Sequence, residues 1–239
     1  IAGETIDYGP CAFMDESDPT QVFSSIDEEG RYAYANQPRI ALWNLTRLAE
    51  CLLPLLTDDK DKAIEQAQFI HGEFAEKFST AYQAGLRAKI GLFTQRDGDE
   101  ALVQDFLDAM AKNQADFTLT FRHLAEAALG ADGEANARAQ FTDPAAFTEW
   151  AVRWRQRIAD EPQSATERYA AMRAVNPAFI PRNHRVEAVI QAAVNNDDYT
   201  PFEELLSVLA KPFEDQPELA GYADPPQPEQ RVLQTFCGP

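Results

Sequence analysis

One carboxylate near the start of the chain sits where it could do chemistry. In Gly3-Glu4-Thr5-Ile6-Asp7-Tyr8-Gly9-Pro10, Thr5 and Ile6 favour extended backbone and Tyr8 continues the run. Gly9-Pro10 then breaks it. The spacing predicts a short strand that delivers Asp7 at a turn. Other candidates carry less. His71-Gly72-Glu73 matches half of a zinc-deaminase signature, but the Pro-Cys-x-x-Cys half is missing, because Pro10-Cys11 is followed by Ala12-Phe13-Met14. His71 lies in a helical pattern beside Ile70 and Phe74 and reads as a packed or surface histidine. His123 and His184 have no paired ligand at metal spacing. The sequence holds no Gly-x-Ser-x-Gly elbow and no P-loop. Arg31, Arg39 and Arg47 could bind phosphate bidentately, yet carboxylates lie near them in the sequence, and pairing with those is the expected role. Arg182, Asn183, His184 and Arg185 are expected to cap the helix that follows and tie it to Asn176-Pro177.

A strand-end Asp followed by an aromatic residue and Gly resembles the Asp-Phe-Gly element of protein kinases, whose Asp holds Mg²⁺ against ATP phosphates. The longer run Asp7-Tyr8-Gly9-Pro10-Cys11-Ala12-Phe13-Met14-Asp15 resembles the corresponding stretch of the SelO family, also known as YdiU or UPF0061. Three later stretches follow in that family's order: Gly30-Arg31-Tyr32-Ala33-Tyr34-Ala35-Asn36-Gln37-Pro38, Asn176-Pro177-Ala178-Phe179-Ile180-Pro181-Arg182-Asn183, and Thr235-Phe236-Cys237-Gly238-Pro239. The resemblance implies a kinase-like protein that transfers AMP from ATP to Ser, Thr or Tyr hydroxyls of proteins. It implies Asp7 as ligand of Mg²⁺ or Mn²⁺ and, through the metal, as a contact to the nucleotide, which would lie flipped so that its α-phosphate faces the acceptor. The family's catalytic Asp, metal-binding Asn, Gly-rich loop and nucleotide Lys belong upstream of Ile1. The chain therefore reads as a C-terminal half, expected to be inactive by itself. The resemblance also implies redox chemistry for Cys237. Cys11 is the candidate partner, although the family's partner position lies later, near Phe23, which is not Cys here; a free tail thiol is the expected state. The competing reading is a helical protein-interaction module without activity, and protein kinase activity is a third.

The elements that would position Asp7 are almost all helical. Residues 1–35 read as the Asp-Tyr-Gly turn followed by an irregular activation-segment-like loop, residues 36–210 as a helical kinase-like C-lobe, and residues 211–239 as a Pro-rich extended tail. A helix starting at Asn36-Gln37-Pro38 carries Ala41, Leu45, Leu48, Leu52 and Leu55 at helical spacing, with Leu42 and Trp43 on other sides. That pattern predicts a helix buried on most of its circumference at the centre of the domain, with Cys51 as a buried small hydrophobe. One long helix is expected over about 60–90, with Ala67, Ile70, Phe74, Phe78, Ala81 and Gly85 inward. Further helices are expected after Asp97-Gly98-Asp99, after Asp116 or Thr118, after Asp143-Pro144, over 164–175, over 183–194 and over 201–209. The fold class is therefore mostly α, with short strands only near Asp7.

The formal charge of −18, from 21 basic and 39 acidic residues, argues against nucleic-acid or anionic-membrane surfaces. No apolar run reaches the ~20 residues of a membrane span. Three cysteines without metal or disulfide spacing point to a reducing compartment. The expected partners are protein substrates and ATP, for a monomeric, cytoplasmic protein of bacterial type.

Overall fold

The computed structural model describes residues 12–130 and 133–235. Among them the chain is built from helices: α1 Gln37–Leu56, α2 Lys60–Gly72, α3 Phe74–Lys89, α4 Asp99–Lys112, α5 Phe117–Ala127, α6 Glu134–Arg138, α7 Pro144–Ile158, α8 Ala165–Val175, α9 Asn183–Asn196 and α10 Thr200–Leu209. The β structure among the described residues is one isolated antiparallel bridge between Glu16 and Asp116. The mostly-α expectation holds. The short strand expected around Asp7 lies outside the described residues.

Helix starts follow local chemistry. The Asp116 side chain accepts from Leu119 N–H at 2.8 Å, and the Asp143 side chain accepts from Ala145 N–H at 3.0 Å ahead of Pro144. Ser164 and Glu167 form a reciprocal capping box at α8. Each satisfies N–H groups that have no partner within the helix.

The main core gathers the inner faces of α4, α5, α7 and α8 with the end of α3. Phe106 stacks on Trp150 at 3.9 Å between centroids and meets Phe121 edge-on at 5.5 Å. The indole N–H groups are not stranded by this burial. Trp150 Nε1 donates to the Leu102 carbonyl at 2.9 Å and Trp154 Nε1 to that of Ile90 at 2.8 Å. Below this core Arg157 donates to Asp99 at 2.6 Å and to Glu161 at 2.6 Å. Glu161 also accepts from the backbone N–H groups of Phe93 and Thr94, both at 3.0 Å, and from the Thr94 hydroxyl at 2.5 Å. The turn between α3 and α4 is thereby sewn to the end of α7. A second small cluster joins Ala178 and Phe179 to Val208.

Several expectations are corrected. Helix α1 is not the buried centre of this chain: none of its residues is buried, Trp43 is 47% exposed and Leu55 79%. Its helix-to-helix packing is against α2, while the dense core forms farther along the chain. Cys51 on this helix is accordingly exposed. The single helix expected over 60–90 is two helices, α2 and α3. Gly72, a poor helix former, ends the first, and the Glu73 N–H turns back to the Ile70 carbonyl at 3.3 Å. The proposed inner face fails too, because Ile70 is 65% exposed and Ala81 and Gly85 are also exposed; Leu86 and Ile90 carry the burial instead. Past α10 the chain is not simply extended. It forms 3₁₀ turns at Pro217–Ala223 and Pro228–Gln230 and runs back over the body.

Candidate functional site

Asp7, Cys11 and Cys237 lie outside the described residues. The segment that follows Asp7 is described from Ala12 onward, and the structure shows how it is held. Asp15 accepts Phe117 N–H through its carbonyl at 2.8 Å, and Ser17 N–H donates to the Ala115 carbonyl at 2.8 Å. These bonds form the Glu16–Asp116 bridge and lay the segment across the start of α5. Met14 is buried, and its sulfur accepts from Asp18 N–H at 3.3 Å.

Arg182 locks this arrangement. Only 1% of it is exposed. Its Nη1 pairs with Asp15 and, at 2.8 Å, with Asp116, while Nε donates to the Ala223 carbonyl at 2.9 Å. Asp116 thus caps α5 with one oxygen and holds Arg182 with the other. Burial alone would favour a neutral guanidinium, but Asp116 and Asp15 outweigh it and keep the pKa above the usual arginine range. The expectation that Arg182 caps α9 is corrected, since no side chain caps that helix. His184 beside it is buried, and burial together with Arg185 holds its pKa below the ordinary imidazole range.

A second arginine fastens the tail. Arg122 on α5 donates to the Asn176 carbonyl at 2.9 Å, to the Phe213 carbonyl at 3.1 Å and to the Asp215 carboxylate at 2.7 Å. Farther on, Arg231 pairs with Glu16. Thr235 then docks on the loop after Asp15: its carbonyl accepts Ser25 N–H at 2.7 Å, and its hydroxyl donates to the Phe23 carbonyl at 2.9 Å.

The loop, α1 and the lobe enclose an open cavity of about 1110 Å³ whose walls include Met14, Tyr34, Ile40, Lys89, Phe117 and Ile180. It is mainly apolar with a few polar groups, the usual make-up of a binding cleft. Lys89 contributes an amine held by the Val175 carbonyl at 3.2 Å and Asn176 Oδ1 at 3.1 Å, over the Phe121 ring at 5.3 Å. Burial lowers its pKa. Burial raises the Tyr34 phenol to about 12, with Tyr82 adding to the shift.

The remaining sequence candidates are structural. His71 Nε2 lies 2.8 Å from Thr46 Oγ1 and 3.2 Å from the Leu42 carbonyl, joining α2 to α1 as a packed histidine. Arg47 pairs with Glu50 at 2.6 Å as expected, whereas Arg31 lies over the Trp43 ring at 4.3 Å. Among the described residues no group of three or more His, Cys, Asp or Glu could hold a metal ion. The sequence did not reveal the roles of Lys89 and Arg122, or the pairing of Asp116 with Arg182, because each depends on partners distant in the chain.

Comparison with known proteins decides the lineage. The family model for protein adenylyltransferase SelO matches residues 1–210. The chain belongs to the SelO family. It is 76% identical over 238 residues to the protein nucleotidyltransferase YdiU of Bradyrhizobium diazoefficiens, covering 100% of this chain and 48% of that relative. The proteins of the same name from Bradyrhizobium sp. strain ORS 278 and Rhodopseudomonas palustris strain BisB18 are 69% and 66% identical, with the same coverage of both chains. The chain thus spans about half the length of the curated relatives it matches. Among the described residues no helix is long and apolar enough to cross a membrane.

Proposed function

We propose that this chain is the helical portion of a kinase-like protein nucleotidyltransferase that transfers AMP from ATP to Ser, Thr or Tyr hydroxyls of other proteins. The observation that carries the reading is the match across residues 1–210 to a family described as protein adenylyltransferase, with the Asp7-Tyr8-Gly9 motif inside it. Asp7 would hold Mg²⁺ or Mn²⁺. A carboxylate oxygen is the right donor for either hard cation, and the metal when bound supplies neutralisation of phosphate charge. The chain's own contribution is positional: the Asp15–Ser17 segment is pinned on α5, and the tail is strapped over the loop that follows. Transfer from a nucleotide depends more on such positioning than on covalent chemistry.

A single carboxylate does not make an active site, so the chain alone is proposed to be inactive. A second reading, a helical interaction module, is favoured by one observation. Helices α1 and α2 expose Trp43, Leu45, Leu52, Leu55, Leu56, Phe69 and Ile70, more apolar surface than scattered exposed residues normally present. The two readings meet if this face receives the part of the longer relatives that the chain does not span. Asp7→Ala in the full-length protein tests the first reading. Transfer should be abolished with the melting temperature nearly unchanged; wild-type turnover would exclude the metal role.

A further inference from the structure

We propose that the uncharged side of α1 is the seat of the part of the longer relatives that this chain does not span. The seat depends neither on which group the longer protein transfers nor on residues before Ala12.

Helix α1 carries three charged residues in twenty, Arg39, Arg47 and Glu50. At about 100° per residue these three fall together on one side, where Arg47 pairs with Glu50 at 2.6 Å. The remaining arc, about 240° wide at that spacing, carries no charge. A helix on the surface of a domain needs an apolar stripe only a little over about 100° wide, and a helix that is apolar all round is a buried one. The composition of α1 is close to that of a buried helix, yet none of its residues is buried.

Helix α2 covers one part of the uncharged arc. His71 of α2 meets Thr46 Oγ1 and the Leu42 carbonyl, and Leu42, Thr46, Ala49 and Leu53 form a half-buried stripe on that side. The adjoining stripe has no such cover among the described residues. Leu45 is 40% exposed, Leu52 39% and Leu55 79%. The arc also runs on into the cavity, which takes Gln37, Ile40, Ala41 and Asn44 from this side of α1. The open surface is thus continuous from the cavity to Leu55, and it exceeds what singly scattered apolar residues account for.

Chain length names the occupant. The relatives that are 66% to 76% identical to this chain are covered by it over only 48% of their length. In such proteins a stretch of similar length is joined covalently to this surface. A joined segment meets its site at an effective concentration of about millimolar when the link is short, which a second copy does not reach in dilute solution.

Cys51 reports on the seat, because it lies at the edge of the uncharged arc and is exposed in this chain. The full-length protein is treated with iodoacetamide, natively and in urea, and alkylation of Cys51 is read by peptide mass. The native protein should alkylate Cys51 about tenfold or more slowly than the protein in urea, since a covered thiol reacts only when its surroundings open. Alkylation at the urea rate in the native protein would overturn the proposal. The reaction is run at two protein concentrations with sedimentation alongside. Protection that holds in the monomer supports the seat. Protection that appears only with a dimer assigns the face to a second copy and overturns it. Leu52→Asn should speed native alkylation and lower the melting temperature, while Glu50→Gln, on the charged side, should do neither. Parent-like protection in Leu52→Asn, or equal loosening by Glu50→Gln, would contradict the assignment of the uncharged side as the contact.

Discussion

Glu161→Ala offers the sharpest test of how the lobe is held. The Glu161 side chain is 0% exposed and accepts four hydrogen bonds, from Phe93 N–H, Thr94 N–H, the Thr94 hydroxyl and Arg157. Alanine would strand those donors in a site closed to water. Removing one partner of a buried ion pair costs about 3–5 kcal/mol. Arg157 keeps Asp99 at 2.6 Å and the Thr94 carbonyl at 2.8 Å, so the lower end applies, about 3 kcal/mol. For a domain of this size that is a fall in melting temperature of roughly 6–12 °C. A scan at pH 7 by circular dichroism reads it directly. A drop of less than about 2 °C would refute the argument that this cluster sews α7 to the turn between α3 and α4, because it would fall below the effect of about 1 kcal/mol.

The same side chain sets a pH dependence. Burial pushes the Glu161 carboxyl up, but bonds from Thr94 and Arg157 and from the backbone of Phe93 and Thr94 outweigh it, leaving the pKa below the usual value. A depressed folded pKa gives stability that is complete above the unfolded value, about 4.3, and is lost as pH falls through the folded value. The difference between parent and Glu161→Ala should therefore be full at pH 6–7 and shrink as pH drops below about 4.

Two further outcomes follow from particular residues. Gly91 has φ +79° and an added Cβ would meet Met172 Sδ at 2.7 Å, whereas at Gly98, φ +90°, nothing lies within 4 Å. Gly91→Ala should therefore destabilise the chain clearly more than Gly98→Ala, whose cost is the backbone term of about 1–2 kcal/mol; equal losses in urea unfolding would contradict the packing at α8. Leu55 is 79% exposed, so Leu55→Asn should change the stability of this chain by no more than about 0.5 kcal/mol; a loss of core size, about 2 kcal/mol or more, would mean that α1 is buried after all.

Much of the fold could be read from local signals. Asp116, Asp143-Pro144 and Ser164-x-x-Glu167 mark helix starts because capping is short-range chemistry, and the structure places helices after each. Phe147, Trp150, Ala151, Trp154 and Ile158 repeat at helical spacing and are buried as that spacing implies. The burial of α1 was not readable, because periodicity reports an apolar face and not what covers it. Ala41, Leu45, Leu48 and Leu52 have the right spacing, but the described chain gives that face little beyond α2. Arg182 failed for a different reason. Beside Asn183 it looks like a helix cap, while its actual partners lie 167 and 66 residues away, and a single sequence holds no trace of such pairing. Asp7 stood out because strand formers, a turn and a carboxylate are all local features.

The central claim, that the longer protein moves AMP from ATP, is tested most directly by label placement. The full-length protein is incubated with Mg²⁺ and a generic protein acceptor, in parallel with ATP labelled at the α-phosphate and ATP labelled at the γ-phosphate, with this chain alone as the comparison. The full-length protein is expected to transfer the α label and not the γ label, and this chain alone to transfer neither. Transfer of the γ label, or an unlabelled acceptor in both reactions of the full-length protein, would contradict it.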